Sequence, residues 1–291
     1  MLLCRLIFLI TLVLIACVQV GAGVLQRHTL TGDIQVHPQF HSSFLPQDRD
    51  ILVYLPPNYE KHTTKRYPVL YMHDGQNLFD GATSFIPGAE WRVDETAQTL
   101  ITAGQIRPVI IVAIYNTRDR IAEYTPTPDP EYPSGGKADL YARMLVEEVK
   151  PFIDRTYRTK PDACNTGLAG SSLGGLVSLH ISLKYPGTFG RVAVISPSVW
   201  WNNRGIVNEV SSLSAKVPLR IWLDIGTQEG TSSIPNTRLL RDALTTKGWM
   251  LNKDLRYFEA EGAGHNEGAW ALRVEPILKF LFGPGSTKLR C

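Results

Sequence analysis

"LAGSSLGGL", residues 168–176, places two adjacent serines inside a cage of glycines. Gly170-Ser171-Ser172-Leu173-Gly174 fits the pattern G-x-S-x-G around Ser172. For Ser171 the flanking positions are Ala169 and Leu173, and the pattern fails. The spacing has a steric meaning. A serine on a sharp strand-to-helix turn is held in a strained backbone conformation, and side chains at the two glycine positions would strike neighbouring backbone. The flanks agree. "TGLAG" (166–170) reads as a strand. "LGGLVSLHISLKYP" (173–186) reads as a helix with Leu173, Leu176, Val177, His180 and Ile181 on one stripe. Ser172 is therefore expected to be an exposed nucleophile at the elbow, and Ser171 its filler neighbour.

An elbow of this kind needs a sheet behind it. "YPVLYMHDG" (67–75), "RPVIIVAIYN" (107–116), "RVAVIS" (191–196), "RIWLDIG" (220–226) and "LRYFEAEG" (255–262) are short, nearly continuous apolar runs. Strands buried on both faces of a parallel sheet look like this. Between them lie helical patterns at 138–157, where Pro151 should kink the last turns, at 236–248, where Gly248 suits the position after a helix end, and from 267 onward. "DIQVHPQFHSSFLPQDRDILVYLPPNY" reads as antiparallel strands closed by Pro56-Pro57-Asn58. The expected fold is α/β: a mostly parallel sheet with helices on both faces and antiparallel strands at the N-terminus.

A serine hydroxyl is a weak nucleophile and needs a base and an orienting acid. In this kind of fold the chain order is Ser, acid, His. Of the seven histidines only His180 and His265 follow Ser172. His180 lies on the helix stripe and reads as a packing residue. His265, in "GAGHNEGAW" between the last strand and the last helix, is the expected base. For the acid, Glu229 in "IGTQEG" stands on the loop after a strand and is preferred. Asp224, inside the strand, is second, and Glu267 is an outsider that caps the last helix. The oxyanion requires amide donors. Leu173 should supply one, and Gly75 or Gln76, after the strand "PVLYM", the other. His73 and Asp74 are read as shaping that turn.

The segment "YNTRDRIAEYTPTPDPEYPSGGK" (115–137) is too long for a plain connection and reads as a substrate-side loop or lid. Within it Arg120 and Tyr124 are placed at the substrate. Arg118 and Arg120 either steer an anionic substrate or pair with Asp119 and Glu123. Trp200 and Trp201 either stack on a flat acyl or sugar ring or pack under their loop, and Trp91 is expected to line the same cleft.

The remaining observations bound the function. The 291-residue chain has 44% hydrophobic and 20% charged residues, which suits a globular domain and excludes a disordered one. A net charge of +3 without a basic stripe argues against nucleic acid. No His/Cys/Asp cluster has metal-ligand spacing and no phosphate-binding glycine motif occurs, so no metal and no cofactor is expected. At the N-terminus, Arg5 precedes an apolar run from Leu6 to Cys17, too short to span a bilayer comfortably and suited to a signal peptide over residues 1–22. "Leu14-Ile15-Ala16-Cys17" also reads as a lipobox, which would end the leader at residue 16 and make Cys17 a lipid anchor. The body, 24–291, is then one exported domain, periplasmic, membrane-anchored or secreted. Cys164 and Cys291 are free to pair or not on the sequence alone.

Five blocks in this order, "YPVLYMHDGQNLFD", "AGSSLGGL", "ISPSVWW", "IGTQEG" and "GHNEGAW", resemble the "Putative esterase" family, which includes ferric enterobactin esterase, S-formylglutathione hydrolase and feruloyl esterases. The resemblance runs from about residue 35 to 282. It implies the α/β-hydrolase fold, serine-dependent hydrolysis of a carboxylic ester such as a siderophore, feruloyl or acetyl-sugar ester, and Ser172 and His265 as catalytic residues. Feruloyl-type members carry the acid at the end of a G-T-x-D block. Here Gly226-Thr227-Gln228-Glu229 has glutamate instead. Some siderophore esterases of the family work with a Ser–His pair, so the resemblance alone does not require the acid. Acyl transfer on the same fold, and a lipid-anchored binding protein with a vestigial site, are the alternative functions.

Overall fold

The computed structural model describes residues 28–287. The expected leader, Cys17 and Cys291 lie outside them. Cys164 is disulfide-bonded, and the chain's other three cysteines fall outside the described residues.

Eight strands form one sheet: β1 (Asp33–Phe40), β2 (Arg49–Leu55), β3 (Val69–His73), β4 (Ile110–Ile114), β7 (Thr166–Ser171), β8 (Arg191–Ile195), β9 (Arg220–Gly226) and β10 (Leu255–Ala260), in the order β1-β2-β4-β3-β7-β8-β9-β10. β1 and β2 are antiparallel, as is β2 with β4, and from β4 to β10 the sheet is parallel. β3, β4, β7 and β8 are buried along their whole length, because alternate side chains enter two different cores. Val69, Tyr71, Val112, Leu168 and Val192 pack with Leu176, Val177, Ile206 and Leu240 on one face. Leu70, Met72, Ile111, Ala169 and Trp222 pack with Val93, Leu100, Val274 and Leu281 on the other. A strand covered twice has no polar side to show, hence the continuous apolar runs.

The first face is covered by α3 (Ala138–Arg143), α4 (Lys150–Thr156), α5 (Leu173–Lys184), α6 (Trp201–Ser212) and α7 (Ser233–Lys247), and the second by α1 (Val93–Thr102) and α8 (Glu267–Phe282). α7 stops at Gly248, whose φ of 110° only glycine adopts freely. Pro151 acts differently from the expected kink. Met144–Val149 forms a π-type turn between α3 and α4, and Lys150 N donates to Leu145 O, five residues back. Widening the helix just before the proline accommodates its missing N–H without ending the helix. α1 and α6 have no counterpart in the sequence reading. α6 opens with Asn202, Asn203 and Arg204 at φ 43°, 56° and 67°, an irregular start that periodicity does not reveal.

The long segment 115–137 is not a loose lid. It contains α2 (Arg120–Glu123) and a hairpin of β5 (Pro128–Asp129) and β6 (Tyr132–Gly135). The hairpin side is tied to α6: Trp201 Nε1 donates to Thr127 O at 2.8 Å and Asn202 N to Asp129 Oδ2 at 2.6 Å. Among the described residues no helix is long and apolar enough to cross a membrane.

Candidate active site

The C-terminal ends of β3, β4, β7, β9 and β10 deliver loops to one edge of the sheet, the side on which open α/β sheets bind ligands. There a cleft of about 380 Å³ is lined by Asp74, Gln76, Asn77, Phe85, Ile86, Asn116, Thr117, Arg120, Ser171, Ser172, His265, Glu267 and Trp270.

Ser172 sits between β7 and α5 with φ 57° and ψ −124°, a backbone that L-residues rarely adopt. The glycines explain how it is tolerated. A Cβ on Gly170 would lie 2.8 Å from the backbone of Gly174, and one on Gly175 2.9 Å from Ile195 O. The turn is pinned by Ser172 N to Ile195 O and Ser198 N to Ser172 O, at 3.0 and 3.1 Å. Ser172 Oγ lies 3.3 Å from Ser198 Oγ, while Ser171 is buried in the last position of β7. Leu173 begins α5, so its N–H has no partner within the helix. Across the cleft, Asp74 adopts a left-handed backbone (φ 56°) and starts the turn Gly75–Asn77. A Cβ on Gly75 would lie 2.7 Å from the backbone of β4, which makes glycine obligatory there.

His265 and Glu229 arrive on neighbouring loops joined by Thr227 N to Ala260 O and Gln228 N to Ala263 O, both 2.9 Å. His265 Nδ1 meets Glu229 Oε2 at 2.7 Å. The Glu229 side chain is 1% exposed and the imidazole 43%, so the carboxylate is dry while the ring faces the cleft. Burial works to raise the Glu229 pKa. The bonds from His265, Ser196 and the Gly226 amide outweigh it and hold the carboxyl below its usual range. His265 stands edge-on against Trp270, with ring centroids 4.9 Å apart. Asn266 caps α8 by accepting from Ala269 N, so the cap is Asn266 and not the expected Glu267, which receives Asn77 Nδ2 at 3.4 Å. Asp224 does not reach His265. It accepts from Arg273, Trp222 and the Ser196 amide, and burial pushes its pKa up to about 6 despite them.

The other expected residues separate. Arg120 lines the cleft, but its partner is Asp74, bound through Nε at 2.7 Å and Nη2 at 2.8 Å, not Asp119 or Glu123. Glu123 is taken by Arg49 in a buried two-bond pair. Asp74 is buried, which would raise its pKa, yet Arg120 and Asn116 hold it below the usual value. Tyr124 is fully buried under that pair, its hydroxyl receiving Asp74 N at 3.3 Å, and Trp91 is buried against Trp270. Neither lines the cleft. Trp201 is buried too, and it lines a second cavity of about 480 Å³ with His180 and Glu209. Trp200, Trp201 and Tyr132 form a cluster of mutually tilted rings with centroids 5.1–5.6 Å apart. His180 is not an apolar packing residue: its ring bridges Glu209 and Asp139, which raise its pKa against the effect of burial. Residues the sequence reading passed over are Ser196, Ser198, Arg273, Asn77 and the rim pair Phe85 and Ile86. Asn77 Oδ1 fixes that rim by accepting Phe85 N at 2.8 Å.

The "Putative esterase" family matches residues 42–281. The chain belongs to that family. It is 26% identical over 254 residues to the uncharacterized protein YbbA of Bacillus subtilis, covering 83% of this chain and 96% of that one. It is 34% identical over 152 residues to a siderophore enterobactin esterase of Emericella nidulans, covering 48% of this chain and 49% of the relative. An IroE-like serine hydrolase from Shewanella oneidensis superposes with a TM-score of 0.70 at 22% identity, over 86% of this chain and 80% of that one. This esterase-family chain therefore shares the α/β-hydrolase architecture of the superposed hydrolase.

Proposed function

We propose that the chain hydrolyses a small-molecule carboxylic ester through a Ser172–His265–Glu229 triad. The observation that carries the reading is the His265–Glu229 bond of 2.7 Å, placed in the same cleft as Ser172 on its glycine-caged turn. Ser172 Oγ attacks the ester carbonyl carbon while His265 Nε2 takes its proton. Glu229 holds Nδ1–H and stabilises the imidazolium. The carbonyl oxygen, now negative, is received by the N–H of Leu173 and an N–H of the Gly75–Gln76 turn. Collapse expels the alcohol, protonated by His265, and leaves an acyl-serine. Water, deprotonated by His265, then releases the acid. The resting contact of Ser172 with Ser198 is a weak hydrogen bond, so exchanging it for His265 costs little.

The cleft has one neutralised polar wall, Asp74–Arg120 with Asn116, and one apolar wall, Phe85, Ile86 and Trp270. That pairing suits an ester with an aromatic or apolar acyl group carrying polar substituents. A siderophore ester fits it, in line with the named Emericella relative. Export, with residues 1–22 as leader or Cys17 lipidated, belongs to the same reading and is checked by the mass of the mature N-terminus.

The decisive experiment compares wild type, Ser172→Ala and Ser171→Ala on 4-nitrophenyl butyrate, then on siderophore, feruloyl and acetyl-sugar esters with and without an alcohol acceptor. Ser172→Ala should abolish turnover and Ser171→Ala should keep most of it. Equal rates for wild type and Ser172→Ala would overturn the reading, and transfer to the acceptor in preference to water would make the enzyme an acyltransferase.

A further inference from the structure

Under the Glu229–His265 pair lies a layer of buried polar groups that ester cleavage does not touch. Ser196, just after β8, has φ 42°, a conformation a serine keeps only when its surroundings enforce it. Its N–H lies 3.1 Å from both the carbonyl and Oδ1 of Asp224. Its Oγ accepts from Trp270 Nε1 and from Arg273 Nη2, each at 3.1 Å. With two N–H groups pointing at it, the hydroxyl has its own proton left to donate. It donates to Glu229 Oε1 at 2.5 Å. Gly226 N also donates to Oε1, at 2.7 Å, and Arg273 Nη2 stands 3.6 Å from it. The Ser196 hydroxyl and the Gly226 amide both bond Oε1, with the Arg273 guanidinium beside it, which leaves Oε2 for His265.

Arg273 is itself held. It is 2% exposed, and its Nη1 binds Asp224 Oδ1 at 2.7 Å. One guanidinium is thus shared by two buried carboxylates.

We propose that Ser196 and Arg273, the latter anchored on Asp224, are positioning residues that fix which oxygen of Glu229 faces His265 and thereby hold the imidazole with its proton on Nδ1. The proposal rests on the triad reading. It also accounts for glutamate where the resemblance led to aspartate. The longer arm lets one carboxylate reach back to the Gly226 amide and the Ser196–Arg273 layer and still meet the base. Asp224 has a stated part in this. It occupies one side of the guanidinium, so Arg273 cannot close a two-bond pair on Glu229 and draw it away from His265. The charged groups around the pair are few. Glu229 faces His265 from the loop after β9, Arg273 from α8 and Asp224 from β9 itself. Glu267 and the Asp74–Arg120 pair border the cleft that His265 opens into.

The test measures kcat and KM against pH for Ser196→Ala, Arg273→Lys, Arg273→Met and Asp224→Asn, with melting temperature as the control for folding. Misplacing the acid by about an ångström costs on the order of a hundredfold. We expect kcat to fall between about tenfold and a hundredfold in Ser196→Ala and Arg273→Met, with KM within about twofold, because ground-state binding is untouched. Arg273→Lys should recover part of that loss. In Asp224→Asn the guanidinium keeps only Glu229 as an anionic partner. The imidazolium loses counter-charge, and the ascending limb of kcat/KM moves to lower pH. A merely structural role lowers the melting temperature and moves neither kcat at saturating substrate nor the limb. Folded Ser196→Ala and Asp224→Asn enzymes with wild-type kcat and an unmoved limb would overturn the proposal, and these two variants decide it even if Arg273→Met does not fold. An active Ser172→Ala enzyme would remove the triad reading instead, so the two failures are distinct.

Discussion

Glu229→Gln is the most informative single change, because the hydrogen-bond polarity around the carboxylate dictates how the amide must sit. Oε1 receives the Ser196 hydroxyl at 2.5 Å and the Gly226 N–H at 2.7 Å, with Arg273 at 3.6 Å. The amide oxygen must occupy that side. The opposite orientation would set NH2 against at least two donors, each costing about 1–3 kcal/mol unsatisfied. The NH2 group therefore faces His265 Nδ1 and makes it an acceptor. The ring proton moves to Nε2, the nitrogen that must accept from Ser172. A triad locked in the wrong tautomer loses on the order of 10³- to 10⁴-fold in kcat, or about 4–5.5 kcal/mol of transition-state stabilisation. Glu229→Ala leaves Nδ1 free to bind water and imposes no wrong tautomer, so it should be faster than Glu229→Gln. Steady-state hydrolysis of 4-nitrophenyl butyrate, with melting curves for both variants, tests this. A Glu229→Gln enzyme within about tenfold of wild type, or slower loss in Gln than in Ala, refutes the reasoning.

Gly170→Ala drives a Cβ to 2.8 Å from the Gly174 backbone, which cannot yield as a side chain would. It should cost about 3 kcal/mol or more, roughly 6–10 °C in Tm, and an unchanged melting curve would contradict the close approach. Asp94 is buried, and burial together with Glu95 pushes its pKa from 3.8 up to about 9. A folded pKa above the unfolded one means that stability is full below about pH 3.8 and is lost as pH rises toward 9. Asp94→Asn mimics the protonated acid at every pH, so its stability margin over wild type should widen across that window and reach about 1–3 kcal/mol at pH 7. Urea titrations at pH 4 and pH 8 giving the same margin would count against it. Phe85, 81% exposed on the cleft rim, should serve substrate and not the core. Phe85→Ala is expected to raise KM for aromatic esters by about three- to tenfold while leaving Tm and acetyl-ester turnover alone. A lowered Tm would assign the ring to folding.

The catalytic candidates were legible to unequal degrees. Ser172 was readable because its requirement is local: two glycines whose missing side chains keep Gly170 and Gly174 in contact. His265 followed from chain order, and Glu229 from standing one loop earlier. Ser196 and Arg273 were not readable. One follows β8 directly and the other lies two turns into α8, and nothing in either neighbourhood marks a residue that will meet Glu229. The aromatic residues failed in a different way. Trp91, Trp201 and Tyr124 are equally at home in a core or a cleft by type, and all three are buried.

By itself the sequence determined the layered architecture, since only a sheet covered on both faces tolerates such unbroken apolar strands, and it determined which serine occupies the elbow, since glycine spacing is a local steric rule. Tertiary structure alone decided which charges are spent on one another. Arg120 meets Asp74, Arg49 meets Glu123, and Arg273 stands between Asp224 and Glu229. Those pairings join residues from about 40 to more than 70 positions apart, and distance in space, not order in the chain, sets an ion pair.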